Sequence, residues 1–439
     1  MNRPTRRVSL LQVALCSGVI AATATGTVLN ADRSVKAALQ DSPKSVLDEA
    51  WQIVNREYVD GTFNKTNWQA VRQSLLGREY SSRQQAYTAL RDALKKLDDP
   101  YTRFMDPKQF EALTNQTSGE LSGVGIRLEQ NEKTKVLTVV EPLENSPAIR
   151  AGIKSGDRVL AINGRSTKGM SVEDASNLIR GEAGTKVTLQ IGRDGATNFD
   201  LPLTRARIEL QAVRASVKQE GKNKIGYIRL SEFSSHAAEQ MERAIRNLND
   251  QKVDAFVLDL RGNPGGLLQA SIDISRMWLD QGAIVKTVNR QGIGDTAYAR
   301  GRQLTKLPVA VIVDGRSASS SEILAGALKD NKRGTIVGSQ TFGKALVQSV
   351  HSLSDGSGLA VTIAHYYTPN GTDISQKGVT PDVKVDLSDA QQKFLATNPK
   401  LIGTPQDPQY ARALNFLERT ALAKPGAQQA SQQAAPVRR

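Results

Sequence analysis

Cysteine is nearly absent: Cys16 is the only one in 439 residues. Once a segment holding that position is removed, no disulfide, thiol nucleophile or thiolate metal site can be built. Histidine is almost as scarce. His236, His351 and His365 lack the spacing of a metal-binding pair; His236 starts a helix, and His351 and His365 follow strand residues without an acidic orienter nearby, so zinc chemistry and a serine-histidine-aspartate triad both lack support. Aromatic residues make up only 5%, and lysine and arginine are scattered with no aromatic-interleaved basic block. The net charge of +14 is therefore no nucleic-acid footprint; it suits an anionic membrane surface or acidic substrates. With 39% hydrophobic and 23% charged residues the chain is globular, and its length favours two to four domains.

Residues 1–31 begin with Arg3, Arg6 and Arg7, continue through an apolar stretch at 8–20, and reach Ala22-Thr23-Ala24, a small-residue cleavage site. Export is expected, with the segment either cut after Ala24 or kept as a short anchor that would associate the protein with a membrane. Cleavage would remove three positive charges. Thr5-Arg6-Arg7 with Leu10-Leu11 hints at a twin-arginine signal, and bulky Leu15 argues against Cys16 as a lipid attachment point.

Residues 42–117 carry helical periodicity: Val46, Leu47, Ala50, Trp51 and Val54 form one stripe, Tyr87, Leu90, Leu94 and Leu97 another. Asp98-Asp99-Pro100-Tyr101 ends this module. Residues 118–205 switch to short glycine-punctuated strands at 123–128, 136–140, 158–162 and 186–191, interrupted by helices at 147–151 and 171–180. Residues 206–385 alternate apolar strands with helices, the order of an α/β core. A C-terminal helical segment at 386–422 precedes a disordered Ala/Gln/Pro tail at 423–439. The whole is an α+β multidomain architecture.

Chemistry concentrates where the strand Val309-Ala310-Val311-Ile312-Val313 passes through Asp314-Gly315-Arg316-Ser317-Ala318-Ser319-Ser320-Ser321-Glu322 into a helix. Such a turn projects a nucleophile and offers unpaired first-turn amides to an oxyanion. Of the four serines, Ser319 is the candidate; as a bland alternative it caps the helix in a box with Glu322. Without a histidine, the base must be a lysine whose proton affinity is lowered by burial or by neighbouring cations. Lys344 suits this. It follows Phe342-Gly343 and precedes Ala345-Leu346-Val347-Gln348, and strand alternation places Lys344, Leu346 and Gln348 on one face, letting Gln348 orient the amine. The loop Arg261-Gly262-Asn263-Pro264-Gly265-Gly266 allows close backbone approach, so an amide of Gly265 or Gly266, with that of Ser320, could form an oxyanion hole.

These motifs, with Asp99-Pro100-Tyr101-Thr102-Arg103-Phe104, Thr368-Pro369-Asn370-Gly371 and Gly378-Val379-Thr380-Pro381-Asp382, resemble the carboxyl-terminal processing, or tail-specific, proteases over residues 44–385. The likeness is greatest to the cyanobacterial and chloroplast branch. It implies a helical module, a PDZ β-domain at 118–205 and a crotonase-like core at 206–385. It further implies Ser319 as nucleophile, Lys344 as general base, Gln348 as the residue positioning it, and no cofactor or metal. Ser320 and Ala345 depart from the alanine and glycine common at those positions. Gly123-Val124-Gly125-Ile126 resembles the loop whose amides grip a peptide's terminal carboxylate, and Arg127 or Arg180 could add charge. Protein substrates with apolar C-termini are implied, in the periplasm or the thylakoid lumen. The rival readings are a silent scaffold that binds C-termini without cutting and a CoA-thioester enzyme on a related core. Oligomeric state has no signature here.

Overall fold

Strands Ala255–Asp259 and Val309–Val313 consist almost wholly of apolar residues, and every residue in both is buried. A parallel sheet covered on both faces produces such unbroken runs. In the computed structural model, which describes residues 42–420 and 422, these two strands lie at the centre of six. The spatial order is Val213–Glu220, Asn223–Leu230, Ala255–Asp259, Val309–Val313, Thr335–Gly338 and Val383–Lys384. The first pair is antiparallel and the others parallel. The export segment, Cys16 and residues 423–439 lie outside the described residues. Among the described residues, no helix is long and apolar enough to cross a membrane.

Contacts divide the chain into two units, one holding the described residues up to Thr114 and from Ala212 onward, the other being Asn115–Gln211. In the larger unit, strand alternation sends Phe256, Leu258, Val311, Val313 and Ile336 toward helices Ala237–Asp250, Leu268–Trp278 and Ser320–Asp330. Ala255, Val257, Ala310, Ile312 and Val337 point the other way, onto Tyr410, Ala413, Leu414 and Leu417 of the C-terminal helix Pro408–Thr420. That helix is held by more than apolar contact. Arg261, just after strand Ala255–Asp259, donates to both Asp259 and Asp407, and Tyr227 donates to Asp259 at 2.6 Å. Burial works against these charges, yet the Arg261 guanidinium holds the Asp259 carboxyl below its usual range.

A second, antiparallel sheet of the same unit is built on the long strand Gly358–Tyr367. Leu346–Ser352 pairs along one side of it, Arg103–Met105 and Ala283–Asn289 along the other. The apolar stripes of helices Pro43–Glu57, Trp68–Leu76 and Arg83–Leu94 close against this sheet through Phe104, Leu353, Leu359 and Val361. The N-terminal helices thus share a core with Leu359 and Val361, far along the chain, rather than forming a free-standing module.

The smaller unit orders its strands Ile126–Gln130, Leu137–Pro142, Arg158–Ile162, Lys186–Gly192 and Phe199–Thr204, all antiparallel. A separate pair, Glu120–Gly123 with Ala206–Glu209, lies at its ends. Its core contains Val124, Leu137, Val139, Val159, Ile162, Ala175, Ile179, Leu189 and Ile191. Helix Val172–Ile179 starts at Ser171, whose hydroxyl accepts the Asp174 amide at 3.0 Å.

Candidate active site

Of the four serines after Val309–Val313, three commit their hydroxyls to structure. Ser317 donates to the Leu260 carbonyl at 2.9 Å, Ser320 to Gly266 and Ser321 to Asn263, each at 3.0 Å. These three stitch the serine turn to the glycine loop and are fully buried. Ser319 is the half-exposed fourth. Its backbone has φ 53° and ψ −113°, a left-handed conformation costly to a side chain and typical of places where the surrounding structure forces a residue outward.

Glu322, one helical turn on, supplies that force. Its carboxylate accepts the Ser319 amide at 2.8 Å, and also the Thr341 hydroxyl at 2.5 Å, the Gly343 amide at 2.7 Å and the Lys344 amide at 2.9 Å. One buried side chain therefore fixes the backbone of both Ser319 and Lys344. A second clasp repeats the pairing, for the Tyr366 hydroxyl points between the carbonyls of Ser319, at 3.2 Å, and Lys344. Burial pushes the Glu322 carboxyl above its usual range, opposed by its four donors. As a capping residue Glu322 was legible in the sequence; its three bonds to residues 341–344 were not.

Lys344 is largely buried, and that burial pushes its amine below the ordinary lysine value. The Arg103 charge adds to the fall, while Asp99 and Glu322 oppose it. The amine lies 4.6 Å from the centroid of the Tyr101 ring. The expected alternation of Lys344, Leu346 and Gln348 needs correction. The strand starts at Leu346, so Lys344 sits ahead of the ladder, on the turn that Gly343 makes at φ 90°; the register shift between Val347 and Gln348 leaves Ile363 of the long strand as the extra residue. The Gln348 side chain donates to Thr362 at 3.4 Å, and Thr362 in turn donates to Asp99 at 2.7 Å.

The glycine loop closely approaches the serine turn. A Cβ added at Gly265, which has φ 103°, would come within 2.8 Å of the Ala318 oxygen and of the Ser319 Cβ. The Gly265 amide, however, donates to Asn263 Oδ1 at 2.9 Å. The parallel bridge to Phe233 uses the Gly265 carbonyl and the Leu267 amide, leaving the Gly266 amide outside it. Ser320 opens the helix, where first-turn amides have no partner within the helix. Of the histidines, His351 pairs with Glu57 at 2.8 Å, His236 precedes the Ala237–Asp250 helix and His365 faces Leu346 across a strand pair.

In the smaller unit, Gly123-Val124-Gly125-Ile126 leads into the strand at Ile126, beside helix Val172–Ile179. Gly125 has φ 79° and a Cβ there would meet Ser146 at 2.3 Å. Arg180, at the end of that helix, lies beside Gly123, whereas Arg127 pairs across the strands with Glu141 at 2.9 Å.

Comparison with known proteins agrees with this division. Residues 224–385 match Peptidase family S41, and residues 138–193 match the PDZ domain. A carboxyl-terminal-processing protease of Picosynechococcus is 44% identical over 375 residues, covering 85% of this chain and 89% of that one. A chloroplastic C-terminal processing peptidase of Tetradesmus obliquus is 40% identical, covering 77% of this chain and 76% of its own. The solved structure of a photosystem II D1 C-terminal processing protease aligns at TM-score 0.53 and 38% identity, over 84% of this chain and 99% of that one. A PDZ domain lying ahead of an S41 core, with helices N-terminal to both, defines a class of peptidase. The chain belongs to the carboxyl-terminal-processing protease family.

Proposed function

We propose that the chain is an exported serine endopeptidase that captures the C-terminus of a protein substrate and cleaves near it with a Ser319/Lys344 dyad. The observation that carries this is the double clasp of Glu322 and Tyr366, which ties the backbones of Ser319 and Lys344 together while burial favours the neutral amine. Lys344 takes the hydroxyl proton as Ser319 Oγ attacks the scissile carbonyl carbon. The amides of Gly266 and Ser320 receive the oxyanion, and Gly265, bonded to Asn263, holds the loop at the required distance. Lys344 then protonates the departing amine as the C–N bond breaks, leaving an ester on Ser319. Water attacks that ester, Lys344 accepts the water's proton and passes it to Ser319 Oγ as the acyl C–O bond breaks, and the free hydroxyl and a new carboxylate result. No cofactor enters. Gln348 positions Lys344 indirectly, anchoring the strand that follows it through Thr362.

The terminal carboxylate of the substrate docks on the amides of Gly123, Val124, Gly125 and Ile126, with Arg180 adding positive charge and the peptide extending the Ile126–Gln130 strand. Apolar C-terminal side chains suit the wall formed by helix Val172–Ile179. The site of action is the periplasm or thylakoid lumen.

The test is cleavage of an unstructured protein with an apolar C-terminus, alongside Ser319→Ala and Lys344→Ala variants checked for folding. Each variant should lose roughly 10³-fold or more in kcat. Undiminished cutting by Lys344→Ala removes the dyad, and a parent that binds such C-termini without cutting them is a scaffold.

A further inference from the structure

The turn that ends the N-terminal helices lies more than 200 residues before Ser319 in sequence, yet its Tyr101 ring covers the amine of Lys344 at 4.6 Å. The turn is firmly held. Asp98 takes a left-handed conformation at φ 52°, and Asp99 Oδ1 accepts the Tyr101 amide at 2.9 Å. Asp99 Oδ2 accepts the hydroxyls of Thr102, at 2.6 Å, and Thr362, at 2.7 Å. The Thr362 amide donates to Thr102 Oγ1 at 3.0 Å, and Arg103 pairs with Ala360. Two adjoining strands thus fix where Tyr101 stands.

We propose that this turn belongs to the catalytic apparatus, with Tyr101 as a positioning residue that holds the Lys344 amine against its ring and favours the ammonium formed as the base takes its proton. The inference rests on Lys344 being that base. A neutral amine gains little from an aromatic face, whereas an ammonium is attracted to its negative centre. The ring therefore acts when the proton arrives, which is the moment a general base needs help. Other groups facing Lys344 are Arg103 and Asp99 from the same turn, Glu322 from the Ser320–Asp330 helix and, at its carbonyl, Tyr366 from the long strand. Arg103 disfavours the ammonium, while Asp99 and Glu322 favour it.

The experiment measures kcat and KM against pH for the full chain carrying Tyr101→Phe, pentafluorophenylalanine at 101, Tyr101→Leu and Arg103→Met, with Lys344→Ala as reference. Activity requires the neutral amine, so it rises as pH passes the Lys344 value; withdrawing the ring's support for the ammonium moves that rise to lower pH. Tyr101→Phe should keep the parental rise. The fluorinated ring, of nearly the same shape but reversed face, and Tyr101→Leu should move it down by roughly half to one pH unit, with kcat about tenfold lower and KM little changed. Arg103→Met should move it up. A merely structural role lowers the plateau without moving the rise. A rise that stays put with the fluorinated ring, or a Tyr101→Phe as impaired as Tyr101→Leu, overturns the inference. If Lys344→Ala cuts as well as the parent, the dyad itself has failed; if that variant is dead and the rise is unmoved, only the role of Tyr101 has.

Discussion

Removing an amine from water disfavours its protonated form, so burying Lys344 weakens the fold. Its folded value is lowered, so below the ordinary lysine range the unfolded chain binds a proton that the folded chain resists. Stability therefore rises with pH between the two values. Lys344→Met should abolish cleavage and raise the thermal midpoint by a few degrees, or ~1 kcal/mol, with the gain largest at and below neutral pH and fading in alkali. Calorimetry across pH checks this. Glu322→Gln turns two acceptor positions toward donors with an NH2 group, leaving buried amides of Ser319 and Lys344 or of Gly343 unpaired. It should cost ~1–3 kcal/mol of stability and at least tenfold in kcat, read by denaturant melts and single-turnover kinetics. At this scale the sequence was partly readable. Ser319 stood out because strand, small-residue turn and helix are all local signals, and Lys344 because cysteine and useful histidines were missing. Tyr101 had no local sign of the role proposed for it, since what it touches lies 243 positions away.

Among the elements, the glycine loop and serine turn work as one part. Gly265→Ala puts a methyl group 2.8 Å from a carbonyl and from the Ser319 Cβ, and the backbone already occupies a conformation that alanine resists. The loop must retreat, taking the Gly266 amide with it; kcat should fall about 100-fold with substrate binding preserved, as separate measurements of binding and turnover will reveal. The alternation of strands and helices in the core was legible from hydrophobic periodicity, and so was the burial of Val309–Val313. The register shift at Val347 and Gln348 was not, because the extra residue, Ile363, lies on a partner strand whose register the sequence does not announce. The same holds for the helices at 43–94: their stripes were visible, but not that Leu359 and Val361 would cover them.

Over the whole molecule, the smaller unit has its own core and closes its own ends by pairing Glu120–Gly123 with Ala206–Glu209. A fragment of residues 115–211 should fold alone with a cooperative thermal transition, which circular dichroism will register. The larger unit depends on both ends of the chain. Arg261, beside the glycine loop, is buried between Asp259 and Asp407, and an unpaired charge there is expensive. Asp407→Asn should cost ~3–5 kcal/mol in urea unfolding.

The Arg261–Asp407 pair also orders events during the making of the protein. A chain built from its N-terminus presents Ser319 and Lys344 well before residue 407 exists, and until then the Arg261 guanidinium has Asp259 alone, without Asp407 or Gln409, and the glycine loop no brace on that side. The brace on the glycine loop thus waits for a residue made some 60 positions later than Lys344, so local turns and strands are in place before the contact that pins them.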